Sequence, residues 1–220
     1  MTLYIIRHGE TELNRQGIVQ GSGVDSDLNK IGQRQAHLFY QYYKNIAFDF
    51  VVTSALKRTH QTVEPFLRKL SNDKQELSKI DISNWLKFKE LNEISWGVQE
   101  GKKSDTGMHE TYKKLMSDWE NGIYETRFEA GESATELHTR VSKIVDYLKE
   151  NHAGQNVLMC THGRTLLCLL TILKNEPLSK MSQYKHQNTC LYKAHFVDGE
   201  FHFELENDVQ HLGKMETVDF

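Results

Sequence analysis

The segment LYIIRHGETELN, Leu3–Asn14, passes from four apolar residues directly into a run of polar and charged ones. A short apolar run that ends in this way is typical of a buried strand. The polar residues that follow then lie beyond the carboxyl end of that strand. In open sheets of parallel strands, ligands bind at this end. The segment therefore predicts a strand that carries Arg7 and His8 to a binding site.

Apolar runs alternate with helical periods along the rest of the chain. Three more strands are predicted, at Phe48–Thr53, at Trp85–Phe88 and, as a buried strand, at Val157–Cys160. Two further runs, Cys190–Val197 and Phe201–Leu205, flank Asp198-Gly199, a dipeptide typical of a hairpin turn. Strands that alternate with helices predict an α/β fold, a three-layer α/β/α sandwich around a mostly parallel sheet. The hairpin supplies an antiparallel edge.

Helices are predicted from apolar spacing and from capping residues. Apolar residues spaced by three or four positions predict the first long helix: Ala36, Phe39, Tyr43 and Ile46. Ser54 is placed to cap the helix after the second strand, and Ser133 with Glu136 forms a capping box. Met108–Asn121 is amphipathic, whereas Arg164–Leu173 is apolar nearly all round and predicts a buried helix.

The composition is that of a globular chain of 220 residues. Lys+Arg total 27 and Asp+Glu total 30, and a net charge of −3 gives no overall reason to bind nucleic acid or an anionic membrane. Every apolar run is far shorter than the roughly 20 residues that span a bilayer. The sequence contains no low-complexity linker or internal repeat. We therefore expect a single domain over residues 1–220, with a helical lid-like segment at about 98–130.

The amino-terminal residues and the cysteines bear on the cellular compartment. Only Leu3–Ile6 is apolar before Arg7, which is too short for a signal-peptide core. The three cysteines, Cys160, Cys168 and Cys190, show no C-x-x-C spacing, so neither a disulfide framework nor a thiolate metal site is indicated. Cytoplasmic localisation is the expectation.

Polar side chains recur where predicted strands end. They are Arg7 and His8, then Arg58 in the first turn of the next helix, Glu93, and Thr161-His162-Gly163. Each residue alone is more often a structural or solvated group than a functional one. Because the carboxyl ends of parallel strands meet at one edge of a sheet, we expect these residues to converge there.

These segments resemble the histidine phosphatase (phosphoglycerate mutase-like) superfamily, in its phosphatase branch. The hallmark of that superfamily is an R-H-G signature on the first strand, here Arg7–Gly9. Four further matches follow in order before the end of the chain: Gln20-Gly21, SALKRTHQT at Ser54–Thr62, GES at Gly131–Ser133 and the late T-H-G, after which comes NDVQHL at Asn207–Leu212. The resemblance covers Leu3 to about Leu212 and implies a phosphoglycerate mutase-like fold.

The chemistry that the resemblance implies suits these side chains. Guanidinium groups match phosphoryl oxygens with their planar forks, so Arg7 and Arg58 are expected to hold the phosphate. His162, and backbone N–H groups at the start of the helix that follows it, are expected to add donors. His8 would attack phosphorus as a neutral imidazole and form the phosphohistidine known in the family.

The remaining site predictions concern the leaving group and the substrate. Glu93 is the candidate general acid for the leaving alkoxide and then the base that activates water. Asn14, Gln20, Gly21 and Gly163 are expected to bind substrate. The Gln20 loop, QGSGVDSDL, is one residue longer than the common Q-G-x-x-D-S-P-L and has Asp27 in place of Pro. We therefore expect that loop to lie differently from its relatives.

No metal or cofactor is expected, because positioned arginines can act as the charge clamp. Six other histidines form no H-x-x-x-H or H-E-x-x-H pattern: His109, His138, His186, His195, His202 and His211. The expected partner is a small phosphorylated substrate, without nucleic acid or membrane, and a homodimer is left open.

Two other functions stay open. A phosphoglycerate mutase usually carries E-R-x-Y-G where this chain has Glu93-Ile94-Ser95-Trp96-Gly97, and Gly97–Gly131 is shorter than the mutase insertion. We therefore favour hydrolysis over phosphoryl transfer. A non-catalytic module that binds phospho-ligands is favoured less, because both His8 and Glu93 are present.

Overall fold

A six-stranded sheet with helices on both faces is built by the described residues, 1–71, 83–103 and 106–213 of the computed structural model. The strands are β1 Thr2–Arg7, β2 Phe50–Ser54, β3 Trp85–Phe88, β4 Asn156–Thr161, β5 Leu191–Val197 and β6 Glu200–Asp208. The α-helices of the described part are α1 Glu12–Gln16, α2 Lys30–Tyr43, α3 Lys57–Ser71, α4 Thr106–Glu120, α5 Ala134–Asn151 and α6 Gly163–Leu173.

The strands have the order β3-β2-β4-β1-β5-β6. Strands β1 to β4 are parallel, whereas β5 runs antiparallel to β1 and β6 antiparallel to β5. At the end of β1, Ile6 pairs with Cys160 of β4 on one side and with Leu191, the first residue of β5, on the other. The predicted three-layer fold with an antiparallel edge is confirmed.

Alternate residues of β1 face two separate hydrophobic cores, which places helices on both faces of the sheet. Leu3 and Ile5 pack with residues of α5 and α6, and Tyr4 and Ile6 pack with residues of α2 and α3. Successive side chains of a strand point to opposite faces, so a strand buried on both sides is apolar throughout. This explains the unbroken apolar run that begins the chain.

Helix α6 is apolar on nearly all sides because it is enclosed by protein. Nine of its 11 residues are buried. It follows β4 directly, so its first turn lies at the carboxyl edge of the sheet. Among the described residues, no helix is both long and apolar enough to cross a bilayer.

The predicted capping box and the predicted hairpin turn are both present in the structure. Ser133 and Glu136 form the capping box of α5, with Ser133 Oγ accepting from the N–H of Glu136 at 3.2 Å. Asp198 and Gly199 have φ of 50° and 89°, as the turn of a two-residue hairpin between β5 and β6 requires.

Two helix boundaries differ from the prediction. Ser54 is the last residue of β2 and not a cap, because two more residues precede α3; its Oγ accepts from the N–H of Leu56 at 3.0 Å. The N–H of Lys57 is bound instead by Asp25 Oδ1 at 2.7 Å. Helix α2 ends at Tyr43, so Ile46 packs on the core from the turn that follows.

Helix α4 belongs to the segment that the sequence predicts as a lid. Its Leu115 and Trp119 are buried, and the Trp119 Nε1–H donates to Thr126 O at 2.9 Å. The helix packs against a short 3₁₀ helix, Leu178–Gln183. Residues 104–105 of the predicted segment lie outside the described residues, and the lid function stays a prediction.

The buried face of α5 gives a test of the packing. Replacing Leu137, which is fully buried, by Ala should lower the free energy of unfolding by about 3 kcal/mol, because it removes apolar contacts and leaves a cavity. Replacing Leu70, a helical leucine that is 36% exposed, by Ala should change it by no more than about 0.5 kcal/mol. Urea denaturation measures both, and equal losses would contradict the assigned core.

Candidate active site

The imidazole of His8 is buried just beyond β1 in a defined tautomer. Its Nδ1 lies 2.7 Å from the carbonyl oxygen of Gly9. A carbonyl only accepts, so Nδ1 carries the proton and Nε2 keeps a free lone pair. His8 is 3% exposed and its own N–H donates to Thr161 O at 3.0 Å, which extends the pairing of β1 with β4.

The peptide groups around Gly9 are fixed on both sides. The N–H of Gly9 donates to Thr62 Oγ1 at 3.0 Å, and the N–H of Glu10 donates to Gln35 Oε1 at 2.9 Å. The carbonyl that binds His8 therefore has a single orientation. A side chain at position 9 would place a Cβ 2.7 Å from Gly32 O of α2, so only glycine fits this close approach.

Arg58 is held by three protein acceptors. The guanidinium, 1% exposed, donates through Nε to His162 Nδ1 at 3.1 Å, through Nη1 to Val24 O at 2.6 Å and through Nη2 to Gly21 O at 3.4 Å. Burial lowers the pKa of Arg58 to about 10, so it stays cationic at neutral pH. One N–H on each terminal nitrogen is left over, which is the fork that a phosphoryl group needs.

Arg7 is the second guanidinium of the site. Its Nη1 donates to His186 Nδ1 at 3.2 Å, and its Nε is buried without a hydrogen-bond partner among the described residues. Burial lowers the pKa of Arg7, and the nearby Glu93 carboxylate opposes that shift.

His162 lies within a directed chain of hydrogen bonds. Because Arg58 donates to Nδ1, the proton is on Nε2, which donates to Ser54 Oγ at 2.8 Å. Ser54 Oγ also accepts from the N–H of Leu56, so its own hydrogen points to Thr59 Oγ1 at 3.0 Å. Thr59 in turn donates to Leu56 O at 2.8 Å. Each of these groups has one allowed role.

This arrangement corrects the expectation that His162 donates to phosphate. Both ring nitrogens of His162 are engaged inside the protein, and Nδ1 is an acceptor. The ring lies 5.1 Å from that of His8, centroid to centroid, so it forms a wall of the site. It orients Arg58 and does not itself offer a free N–H.

The carboxylate of Glu93 is bound to the start of α6. Its Oε1 accepts from the N–H of Ile94, the N–H of Thr165 and the Thr165 hydroxyl at 3.0, 3.0 and 3.2 Å. Its Oε2 accepts from the N–H of Arg164 at 3.0 Å. The expectation that these helix N–H groups bind phosphate is therefore wrong for two of them. The N–H of Gly163 is left without a partner among the described residues.

His8 and His162 are both neutral beside the arginines. Burial, followed by the charges of Arg58 and Arg7, holds the pKa of His8 well below its usual 6.5. Burial and the charge of Arg58 do the same to the pKa of His162. A neutral His8 with a free Nε2 lone pair is the form that can attack an electrophile.

The predicted substrate-binding residues differ in whether their polar groups are already hydrogen-bonded within the protein. Asn14 Oδ1 accepts from the N–H of Thr11 at 3.2 Å, and its amide nitrogen has no partner in the described chain. The amide of Gln20 is engaged internally, donating to Thr11 Oγ1 at 2.7 Å and accepting from Ser26 Oγ at 2.6 Å. Gly163 leaves room for His186 and Glu93, whose atoms would lie 3.0 and 3.4 Å from a Cβ there.

Hydrogen bonds to residues outside the loop hold the Gln20 loop in place. Asp27, which stands in place of the common Pro, accepts from Gln61 Nε2 at 2.9 Å. Glu100 accepts from the N–H of Gly23 at 2.8 Å and from the N–H of Trp96 at 2.9 Å. A Cβ on Gly21 would lie 2.7 Å from the backbone oxygen of Ile94, so a side chain does not fit at this position.

Sequence reasoning missed His186 and Asn188. Both lie just before β5, and Asn188 Nδ2 donates to the carbonyl of His8 at 2.9 Å. Because β5 is antiparallel to β1, the residues that precede it share the edge where the parallel strands end. A search for polar residues before the antiparallel strand would have found them.

A model of the histidine phosphatase superfamily (branch 1) matches residues 3–209. The chain belongs to this superfamily. The probable phosphoglycerate mutase GpmB of Yersinia pestis (strain Pestoides F) is 33% identical over 200 residues, which are 90% of this chain and 86% of that protein. The resemblance stated from the motifs is thus confirmed.

Two solved structures share the histidine phosphatase fold with this chain. One is a putative alpha-ribazole-5'-P phosphatase from Escherichia coli, with 24% identity and a TM-score of 0.78 over 94% of this chain and 96% of that one. The other is phosphoserine phosphatase from Entamoeba histolytica with 3-phosphoglyceric acid, with 26% identity and a TM-score of 0.75 over 96% and 98%.

A cavity of about 270 Å³ lies beneath α4 in this superfamily member. It is lined by Val19, Gln20, Trp96, Met108, His109, Tyr112 and Phe128. Most of this lining is apolar or aromatic, and Gln20 connects it to the loop that holds Arg58. No group of three His, Cys, Asp or Glu side chains within the described ranges is arranged to hold a metal ion.

The neutral histidines of this histidine phosphatase site predict a pH dependence of stability. Burial, followed by the charge of Arg7, lowers the pKa of His186 from 6.5 to about 4. Below pH 6.5 the unfolded chain binds this proton and the folded chain does not. The stability that His186 contributes is therefore complete above about pH 6.5 and is lost as the pH falls towards 4.

Replacing His186 by Gln should reduce the slope of unfolding free energy against pH by about 1.4 kcal/mol per pH unit between pH 6 and 4.5. Denaturant titrations at several pH values measure the slope. Parallel curves for the variant and the wild type would show that His186 binds its proton equally in both states.

Proposed function

We propose that the protein is a metal-independent phosphomonoester hydrolase that acts on a small phosphorylated metabolite through a phosphohistidine on His8. The observation that supports this most is the tautomer of His8. Its Nδ1 proton is bound by Gly9 O, which leaves the Nε2 lone pair free, and the charges of Arg58 and Arg7 act on the ring. Those guanidinium groups supply the positive charge that a phosphoryl group needs.

In the first step, the Nε2 lone pair of His8 forms a bond to phosphorus as the bond from phosphorus to the ester oxygen breaks. The electron pair stays on that oxygen, which takes a proton from Glu93 and leaves as an alcohol. Oε2 is the oxygen suited to carry that proton, because it accepts one hydrogen bond where Oε1 accepts three.

In the second step, Glu93 is a carboxylate and takes a proton from water. The water oxygen bonds to phosphorus while the phosphorus–nitrogen bond breaks, and that electron pair returns to His8 Nε2. Inorganic phosphate leaves and Glu93 is again protonated. Arg7 and Arg58 hold the same three oxygens through both steps, so the enzyme moves only protons and the phosphoryl group.

Position 94 supports hydrolysis over the mutase reaction. Where a mutase usually has an arginine that binds the substrate carboxylate, this chain has Ile94, which is fully buried in the hydrophobic core. No side chain from position 94 reaches the cavity. The arginine contact that a mutase uses on its substrate is therefore missing at position 94, which favours water as the acceptor of the phosphoryl group.

Phosphoglycerate mutase is the second candidate, and one observation favours it. The curated relative with 33% identity carries that activity in its name as a probable one. The two reactions share the phosphohistidine and differ in the acceptor. Release of inorganic phosphate from 3-phosphoglycerate, measured beside formation of 2-phosphoglycerate, separates them.

Replacing His8 by Ala should reduce hydrolysis of p-nitrophenyl phosphate by at least about a thousandfold, because the nucleophile is removed. Wild-type enzyme quenched under alkaline conditions during turnover should carry one phosphoryl group that acid releases. Mass spectrometry of the intact protein measures this, with EDTA present throughout to test metal independence.

The matched control for this variant is His37→Ala, which removes an exposed imidazole from α2 and should retain full activity. An acid-stable phosphoryl group, or turnover that survives in His8→Ala, would overturn the proposed intermediate. Wild-type enzyme that turns over no phosphomonoester at all would instead favour the binding module.

Replacing Glu93 by Gln should slow hydrolysis of an alkyl phosphate by roughly 10² to 10⁴-fold, because the amide has no proton to give to an alkoxide. The loss should be much smaller for p-nitrophenyl phosphate, whose phenolate leaves without a proton. Comparing kcat for the two esters in each enzyme removes any general effect of the substitution. Equal losses would assign Glu93 a structural role only.

A further inference from the structure

Arg164 has a guanidinium without a counter-charge. None of the ion pairs among the described residues involves it. Its Nη2 donates to the hydroxyl of Tyr112, and its guanidinium carbon lies 5.9 Å from the centre of the Tyr112 ring. Its Nε is buried and has no hydrogen-bond partner within the described ranges. A cation in this condition is incompletely satisfied by the protein alone.

Arg164 lies on the side of the site from which the leaving group departs. Its backbone N–H binds Oε2 of Glu93, the oxygen that faces the ester in the proposed mechanism. From there its side chain extends to Tyr112, which lines the cavity beneath α4. Arg164 therefore connects the Glu93 carboxylate, through its backbone, with a residue of the cavity wall, through its side chain.

From this arrangement we propose that Arg164 is a specificity-determining residue that pairs with an anionic group on the alcohol part of the substrate. This inference rests on the proposed phosphomonoesterase function and narrows its substrate class to phosphomonoesters that carry a second anion. A carboxylate is the group that fits best, because the planar fork of a guanidinium matches its two oxygens.

Two features of the surroundings support a recognition role. Tyr112 fixes one edge of the guanidinium, so little side-chain freedom remains to be lost when a ligand binds. Most of the cavity lining is aromatic or apolar, including Trp96 and Phe128, and such surface does not satisfy a charge. An anionic substituent that reaches Tyr112 from this cavity meets the guanidinium that Tyr112 binds.

The alternative is that Arg164 only ties α6 to α4. A tie of that kind would affect every substrate by the same factor. A recognition role changes the ratio of kcat/KM between an anionic and a neutral substrate, and this ratio is insensitive to the overall activity of a variant.

The test uses three phosphoesters on one three-carbon frame: glycerol 3-phosphate, 3-phosphoglycerate and 1,3-propanediol bisphosphate. The wild type should prefer the carboxylate to the neutral ester. In Arg164→Gln the carboxylate-to-neutral ratio of kcat/KM should fall by about 30-fold, the size expected for a lost charged hydrogen bond. Arg164→Lys, which keeps the charge and loses the fork, should give an intermediate ratio.

Arg34→Gln is the matched control, because it removes the same charge from an exposed position of α2 and should leave the ratio unchanged. Thermal melting of each variant verifies that it is folded. An unchanged ratio in folded Arg164→Gln overturns the inference while leaving hydrolysis intact. A larger loss for the bisphosphate than for the carboxylate overturns the assignment to a carboxylate. Wild-type inactivity on all phosphomonoesters overturns the proposed function itself.

Discussion

The hydrogen bond from His8 Nδ1 to the carbonyl of Gly9 is the contact on which the rest of the site depends. This bond fixes the tautomer of His8 only if the carbonyl of Gly9 cannot rotate, and the surrounding fold prevents that rotation. Thr62 of α3 and Gln35 of α2 bind the flanking N–H groups, and α2 approaches Gly9 so closely that no side chain fits. Helices on one face of the sheet thus determine which nitrogen of a single imidazole is free.

Burial and positive charge act together on the same few groups. Arg7 and Arg58 are buried beside His8, so an imidazolium there would be both desolvated and repelled, and the ring stays neutral. The arginines are themselves oriented by neutral acceptors: His186 for Arg7, and His162 with two backbone carbonyls for Arg58. Neutral acceptors orient a guanidinium without cancelling the charge that an incoming anion requires.

The sequence alone predicted the fold well, because its strands are short apolar runs and its hairpin turn is Asp-Gly. The sequence also predicted that five site residues meet at one edge of the sheet, because the carboxyl ends of parallel strands lie together there. These residues are His8, Arg7, Arg58, Glu93 and His162. That rule failed for His186 and Asn188, which precede an antiparallel strand and reach the same edge from the opposite direction. The donors and acceptors of the site's hydrogen bonds could not be predicted from the sequence either. No sequence pattern shows that Glu93 binds two N–H groups of α6, or that Ser54 accepts a hydrogen bond from His162 and does not cap a helix.

The attachment of Glu93 to α6 gives the enzyme an internal spectroscopic reporter. The backbone amides of Arg164 and Thr165 each point at a different oxygen of one carboxylate. Their proton chemical shifts respond to the negative charge that each oxygen carries. Nuclear magnetic resonance of two amides in the first turn of a buried helix would therefore follow the proton that the proposed mechanism assigns to Glu93, without any label on the substrate.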